Sequence, residues 1–171
     1  MGIENISIIL SIKCLFLLGI TLWFTLVVIN NVIDPGTNLH LIGQMMRMDL
    51  LKEDPHMGNG IEWRAIKSPT VHKTVLVCVI LLQLLAVILL WKAVIEFAMA
   101  SKGPIAPVAV HHAILSADIG LGVLLAKMIW FWCGGMWYGY WVKTPQVQQV
   151  HMTLLVMLML EFLIINTSAS R

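Results

Sequence analysis

The run Val75-Leu76-Val77-Cys78-Val79-Ile80-Leu81-Leu82-Gln83-Leu84-Leu85-Ala86-Val87-Ile88-Leu89-Leu90 decides the class of fold. It is the centre of an apolar stretch from residue 69 to residue 98. About 20 apolar residues wound as a helix cross the roughly 30 Å hydrocarbon core of a bilayer. Three further stretches, 6–29, 108–133 and 145–166, have the same character. A helix satisfies its own backbone in lipid, which an isolated strand cannot do. The expected fold is therefore all-α: an integral membrane four-helix bundle with a long structured loop between helices one and two. A length of 171 residues suits a single transmembrane domain.

Composition points the same way. Hydrophobic residues make up 59% of the chain and charged residues 12%, where soluble domains run near a quarter charged. The first apolar run is too long for a signal peptide, lacks a small-residue cleavage site and continues into Asn30-Asn31-Val32-Ile33-Asp34. Cys14, Cys78 and Cys133 are odd in number and form no C-x-x-C pair, which excludes a disulfide framework and the usual thiol-disulfide motif. They read as buried structural thiols. A formal charge of +2 gives no argument for nucleic acid as a partner.

Helices two and four have clean starts. Ser68-Pro69 and Thr144-Pro145 each offer a hydroxyl N-cap followed by proline at the first helical position. Helix three starts after Gly103-Pro104-Ile105-Ala106-Pro107 and is expected to stop at Gly134-Gly135. In a four-span chain helices two and four run parallel, so loop one (31–68) and loop three (134–144) share one face. Loop two and both termini share the other. Within loop one, Leu39, Ile42, Met45, Met46 and Leu50 recur at helical spacing, with His40, Gln44 and Arg47 on the opposite side. This predicts a short interfacial helix capped by Thr37 or Asn38. Asp54-Pro55 and Gly58-Asn59-Gly60 read as turns.

Two groups of polar residues are candidates for function. The first gathers at the face of loops one and three: Asn30, Asn31, Asp34, Asn38, Asp49, Trp63, Arg64, His72, Trp137, Tyr138, Trp141 and His151. As plain architecture this is an aromatic belt with caps, since Trp and Tyr favour the membrane interface. As a site it is a composite binding surface. His72 and His151 lie one and two turns into parallel helices, and two facing imidazoles can ligate a haem b iron. With Asp34 or Asp49 they can ligate a divalent metal.

The second group lies deeper. Lys13, Lys92, Asp118 and Glu161 fall roughly 8 to 15 Å inside their helix ends, one per helix, with cancelling signs. Ionisable groups at such depth face the bundle interior and pair, so a paired structural cluster is expected, with a proton or ion pathway as the alternative use. Gly122 and Ala126 follow Asp118 at i+4 and i+8, a small-residue stripe that lets a neighbouring helix approach. Lys127 stands about 180° around helix three from Asp118. It is expected to snorkel toward the loop-three interface, with cation-π cover from Trp130 and Phe131 as the alternative.

The chain contains no P-loop, G-x-G-x-x-G, H-E-x-x-H or G-x-S-x-G string, and no arrangement singles out a nucleophile. The reading leans away from an enzyme.

Asn30-Asn31 with Asp34 and Asn38, Met48-Asp49, Trp63-Arg64-Ala65-Ile66 with Ser68-Pro69 and His72, and Gly134-Gly135 with Trp137 and Trp141 form a combination. It resembles a bacterial family of predicted small integral membrane proteins, domain of unknown function 2165, over nearly the whole chain. The resemblance implies four spans in a bacterial inner (cytoplasmic) membrane and no assigned activity. Crude counting of lysine and arginine puts loop one in the cytoplasm by the positive-inside rule. Members of that family look more basic in loop two than this chain, where Lys102 alone lies clearly outside the helices. That likeness implies the reverse, both termini cytoplasmic. This chain has Met136 where relatives tend to carry an acidic residue, so carboxylate chemistry there does not carry over.

The expected function is that of an accessory or assembly subunit, surrounded by lipid and joined to a larger membrane protein complex through the face of loops one and three. The alternatives are a haem- or quinone-linked electron-transfer subunit through His72 and His151, and a small transporter through Asp118 and Glu161.

Overall fold

A computed structural model describes residues 3–102 and 106–167. Six helices follow one another: α1 (Ile3–Ile33), α2 (Pro35–Met46), α3 (Asp49–Lys52), α4 (Pro69–Lys102), α5 (Pro107–Trp137) and α6 (Pro145–Asn166). Single 3₁₀ turns, Glu62–Arg64 and Tyr140–Val142, interrupt loops one and three. There is no strand among the described residues. Helices α1, α4, α5 and α6 are each long and apolar enough to cross a membrane, and they form a four-helix bundle.

Local chemistry sets the helix ends. Proline disfavours helical geometry in the residue before it, so α1 passes residue 29, runs to Ile33 and breaks at Asp34-Pro35. Asp34 then caps α2: its carboxylate accepts from the Thr37 amide at 3.2 Å and the Thr37 hydroxyl at 2.6 Å. The expected caps, Thr37 and Asn38, are one turn too late, because Pro35 already occupies the first helical position. Thr144 precedes α6 without capping it, since its hydroxyl donates back to the Tyr140 carbonyl at 2.8 Å. Helix α5 does not stop at Gly134-Gly135. It continues to Trp137, and the left-handed residue beyond its end is Gly139, with φ +62°. Residues 103–105 of the expected loop-two breaker lie outside the described residues.

Helix α4 is the hub, packed along α1 on one side and α5 on the other, while α6 packs mainly on α5 and barely touches α1. Leu17, Phe24, Leu90, Phe97, Leu121 and Leu158 are fully buried between them. The α4–α5 seam is tight because Ala113, Ala117 and Gly120 bring the backbones together. A Cβ at Gly120 would lie 2.9 Å from the Leu90 side chain. The expected stripe of Gly122 and Ala126 is not at this seam: nothing comes within 4 Å of a Cβ at Gly122, and Ala126 is exposed. Two residues rotate a helical face by about 200°, which separates Gly120 from Gly122. Large exposed side chains such as Leu15, Leu26, Leu81 and Leu163 ring the bundle, as lipid contact requires. The cysteines depart from their expectation, with Cys78 and Cys133 exposed and Cys14 half-buried.

Loops one and three interlock at one end. The Ile66 amide donates to the Met46 carbonyl at 2.8 Å, drawing the end of loop one back over α2. Leu51 packs so closely on Gly139 that a Cβ there would sit 2.8 Å from its Cδ1. At the other end the Lys13 ammonium and the Ser7 hydroxyl hold α1 against the ends of α6 and α4.

Candidate functional site

The face of loops one and three divides into three arrangements. In the first, the Arg64 guanidinium lies 4.4 Å from the Trp137 ring centroid and 5.4 Å from that of Trp63. It also donates to the Trp137 carbonyl at 3.2 Å. The two indoles meet edge to face at 5.9 Å. The 3₁₀ turn and the end of α5 supply these groups, and Trp63 remains 73% exposed.

The second arrangement is a buried chain of amides. Asn38 of α2 donates to Asn31 of α1, and Asn31 donates to Gln83 of α4 at 2.6 Å. Asn31 and Gln83 are both buried, so these bonds satisfy amides that lipid could not. Asn30, one residue earlier, points outward and is exposed. Asp34 is committed to its cap, and the bonds from Thr37 hold its carboxyl below the ordinary aspartate value. Asp49 is committed to Arg47, with contacts of 2.7 and 2.8 Å.

The two histidines belong to different clefts. His72 is buried, and its Nε2 shares a hydrogen bond with the Ile66 carbonyl at 2.8 Å, beside Gly36, Leu39, His40 and Arg47. His151 packs on Phe131 with ring centroids 5.1 Å apart and lines a separate cavity. The facing imidazole pair expected for haem b is therefore not assembled, because the loop-one backbone claims the His72 ring. Among the described residues no three His, Cys, Asp or Glu side chains gather as a metal site. Trp141 stands on yet another surface, a shallow groove along α6 with Gln148 and Met152.

The four deep charges do not form one cluster. Lys13 donates to the carbonyls of Ile165 and Thr167 at 2.7 and 2.6 Å, completing the C-terminal end of α6, where a cation meets orphan carbonyls. Lys92 is exposed and pairs with Glu96 one turn on at 3.7 Å. Asp118 accepts from the Asn166 amide at 2.6 Å. Glu161 is buried, and its Oε1 finds no partner among the described residues. Each spanning helix offers such a group, but they point to different neighbours.

The central feature is a cavity of about 470 Å³ under α2, walled by α1, α4, α5 and α6. Phe24, Val27, Met45, Met128, Phe131 and Leu154 make most of it apolar. Asn31, Asn38 and Gln83 form one polar patch, and Lys127 with His151 form another. Lys127 is 2% exposed. It does not snorkel: ten residues before the end of α5, about 15 Å along the axis, its ammonium is enclosed by Phe24 and Phe131 at 4.8 and 5.4 Å from the ring centroids. It makes no side-chain hydrogen bond or ion pair among the described residues. Cation-π contact returns about 0.5–2 kcal/mol, against an effective burial penalty of several kcal/mol per ion. Tyr138 and Tyr140 close the loop end of the cavity, and burial raises both phenols above their ordinary value. They stay protonated at neutral pH.

Sequence reasoning missed Trp23, Phe24, Gln83 and Tyr140 as parts of this site. Gln83 carried a usable signal, a glutamine in the middle of a long apolar run, because polar groups inside a span are rare and purposeful. The apolar wall carried none, since a cavity-facing Phe and a lipid-facing Phe look alike in one dimension.

Four spanning helices, a polar loop end and a lateral cavity define a small multi-pass integral membrane protein. A family model described as "Predicted small integral membrane protein (DUF2165)" matches residues 9–168, and the chain belongs to that family. Comparison with curated proteins finds no match, and comparison with solved structures finds none either.

Proposed function

We propose that this protein is a non-enzymatic binding protein of the membrane, whose cavity takes up a lipid-soluble small molecule from the bilayer. The observation that carries this reading is the cavity itself. At about 470 Å³ it falls in the range of ligand sites, and its few polar groups converge from five helices onto an otherwise apolar wall. Its rim includes exposed residues Trp23 on α1, Leu41 on α2 and Val150 on α6, where α1 and α6 stand apart. Entry is then sideways from lipid.

Gly134 provides the test, because it lines the cavity and a Cβ there meets nothing within 4 Å. Gly134→Leu should fill the space and leave the bundle folded. Native mass spectrometry of protein purified from its host in a mild detergent should show a retained small molecule in the wild type and its loss in the variant. An identical spectrum for the two proteins would refute the assignment.

A second reading, an accessory or assembly subunit, is favoured by exposed Trp63 and Trp137 around the half-buried Arg64. Exposed aromatic and arginine side chains are the residue types that anchor protein interfaces. Photo-crosslinking from position 63 in native membranes should capture a defined partner protein, and the absence of any specific adduct would set this reading aside. Both readings take the chain to lie in a bacterial inner membrane with the termini in the cytoplasm, the orientation that the resemblance to the family implies. Modification of a cysteine introduced at Asn59 by an impermeant reagent, from outside the cell, tests that orientation.

A further inference from the structure

With the cavity read as a ligand site, as above, we propose that it selects an anionic amphiphile: a single acyl chain ending in a carboxylate, with Lys127 as the counter-ion of its head.

The charge balance of the cavity is one-sided. Its basic groups are Lys127 and His151, and no acidic side chain among the described residues lines it. None of Asp34, Asp49, Asp118 and Glu161 lines it. Asp34 caps α2 and Asp49 pairs with Arg47. Asp118 lies on the far side of α5 from Lys127, held by Asn166. Glu161 is ten residues from His151 along α6, about 15 Å away. The Lys127 ammonium therefore faces only two phenyl rings and the cavity. Buried cations in a membrane are ordinarily paired, and here no described residue pairs with it. A ligand head of one negative charge completes the pair.

The remaining surfaces restrict what that head is attached to. Val27, Met45, Met128 and Leu154 offer a continuous apolar wall, which suits hydrocarbon and gives a small hydrophilic anion nothing to bury. The volume suits one chain rather than the two of a phospholipid. Asn31 donates to the Gln83 Oε1 and the Gln83 amide nitrogen remains a neutral donor, so Lys127 is the cationic donor of the wall, with His151 beside it. One cation with one imidazole matches a carboxylate better than a phosphodiester, which presents more oxygens to satisfy.

The test uses the whole protein in phosphatidylcholine nanodiscs, with a photoreactive diazirine analogue of palmitate. Labelled peptides are mapped by mass spectrometry. Competitors are palmitate, hexadecanol of equal chain length, a prenylated benzoquinone and acetate. Saturable labelling of the α1, α5 and α6 walls is expected, displaced by palmitate at a concentration at least tenfold below that needed for hexadecanol or the quinone. Acetate should not compete. Lys127→Met should lower the palmitate advantage at least tenfold and leave hexadecanol unchanged.

Equal competition by palmitate and hexadecanol in the wild type overturns the proposal, as does an unaltered preference in Lys127→Met. Displacement by the quinone as readily as by palmitate means a neutral head, and displacement by acetate means a free carboxylate. Either sinks the anionic amphiphile while the cavity stands as a ligand site. Absence of saturable labelling by any probe removes the proposal together with the ligand site. The wild-type comparison decides the question even where Lys127→Met fails to accumulate.

Discussion

Asp34 and the lysines of the spans show what one residue contributes here. Thr37 donates two hydrogen bonds to the Asp34 carboxylate, which holds its titration below the ordinary 3.8. A depressed carboxyl stabilises α2 at every pH above its ordinary value, and that contribution is lost as pH falls through the lower folded value. In detergent micelles the Thr37 amide resonance should titrate with a midpoint below 3.8. In Asp34→Asn, which keeps an acceptor oxygen, the titration should vanish. A midpoint at or above the ordinary value would contradict the cap. The lysines make the complementary point, for three of one type inside spans find three different partners: carbonyls for Lys13, a glutamate for Lys92 and phenyl rings for Lys127. Their presence and depth were legible in the chain. Their partners were not, because each depends on which way a neighbouring helix is rotated.

At the scale of elements, the spans were legible because length and continuous apolarity are one-dimensional properties. Proline at Pro35, Pro69, Pro107 and Pro145 marks four helix starts. The faces were less so. In a membrane helix both the lipid side and the packed side are apolar, so amphipathic periodicity is weak, and the seam on α5 had to be inferred from small residues. Gly120, not Gly122, proved to be the contact. Gly120→Leu should destabilise the bundle by about 1–3 kcal/mol through overpacking against Leu90. Gly122→Ala, with open space around its Cβ, should be neutral or stabilise by up to about 1 kcal/mol through helix propensity. Thermal unfolding of both variants in one detergent checks the order. Equal effects would mean that the seam lies elsewhere.

Over the whole molecule, two features follow from how the bundle closes. Because α6 leans on α5 and leaves α1, a gap remains that becomes the cavity. Because loops one and three interlock above it, that gap has a roof. Arg64 lies against both Trp63 and Trp137 within this roof. Arg64→Ala should remove about 0.5–2 kcal/mol of cation-π contact and loosen loop one without disturbing the spans. Trypsin should then cut faster after the exposed Lys52 and Lys67, while helical content by circular dichroism stays the same. Unchanged cleavage would show that Leu51 on Gly139 and the tie from Ile66 to Met46 hold the roof unaided.

The sequence by itself determined the environment of this protein, the number of its spans and the face on which loops one and three meet. Those depend on hydrophobic length, proline punctuation and the alternation of direction in a membrane. Only the tertiary structure decided that His72 and His151 serve different clefts, that the four deep charges go to separate neighbours, and that Lys127 is enclosed at a cavity rather than drawn out to the headgroups. Each of these depends on the relative rotation and spacing of helices that are apolar on every side, and a linear pattern of apolar residues does not encode that rotation.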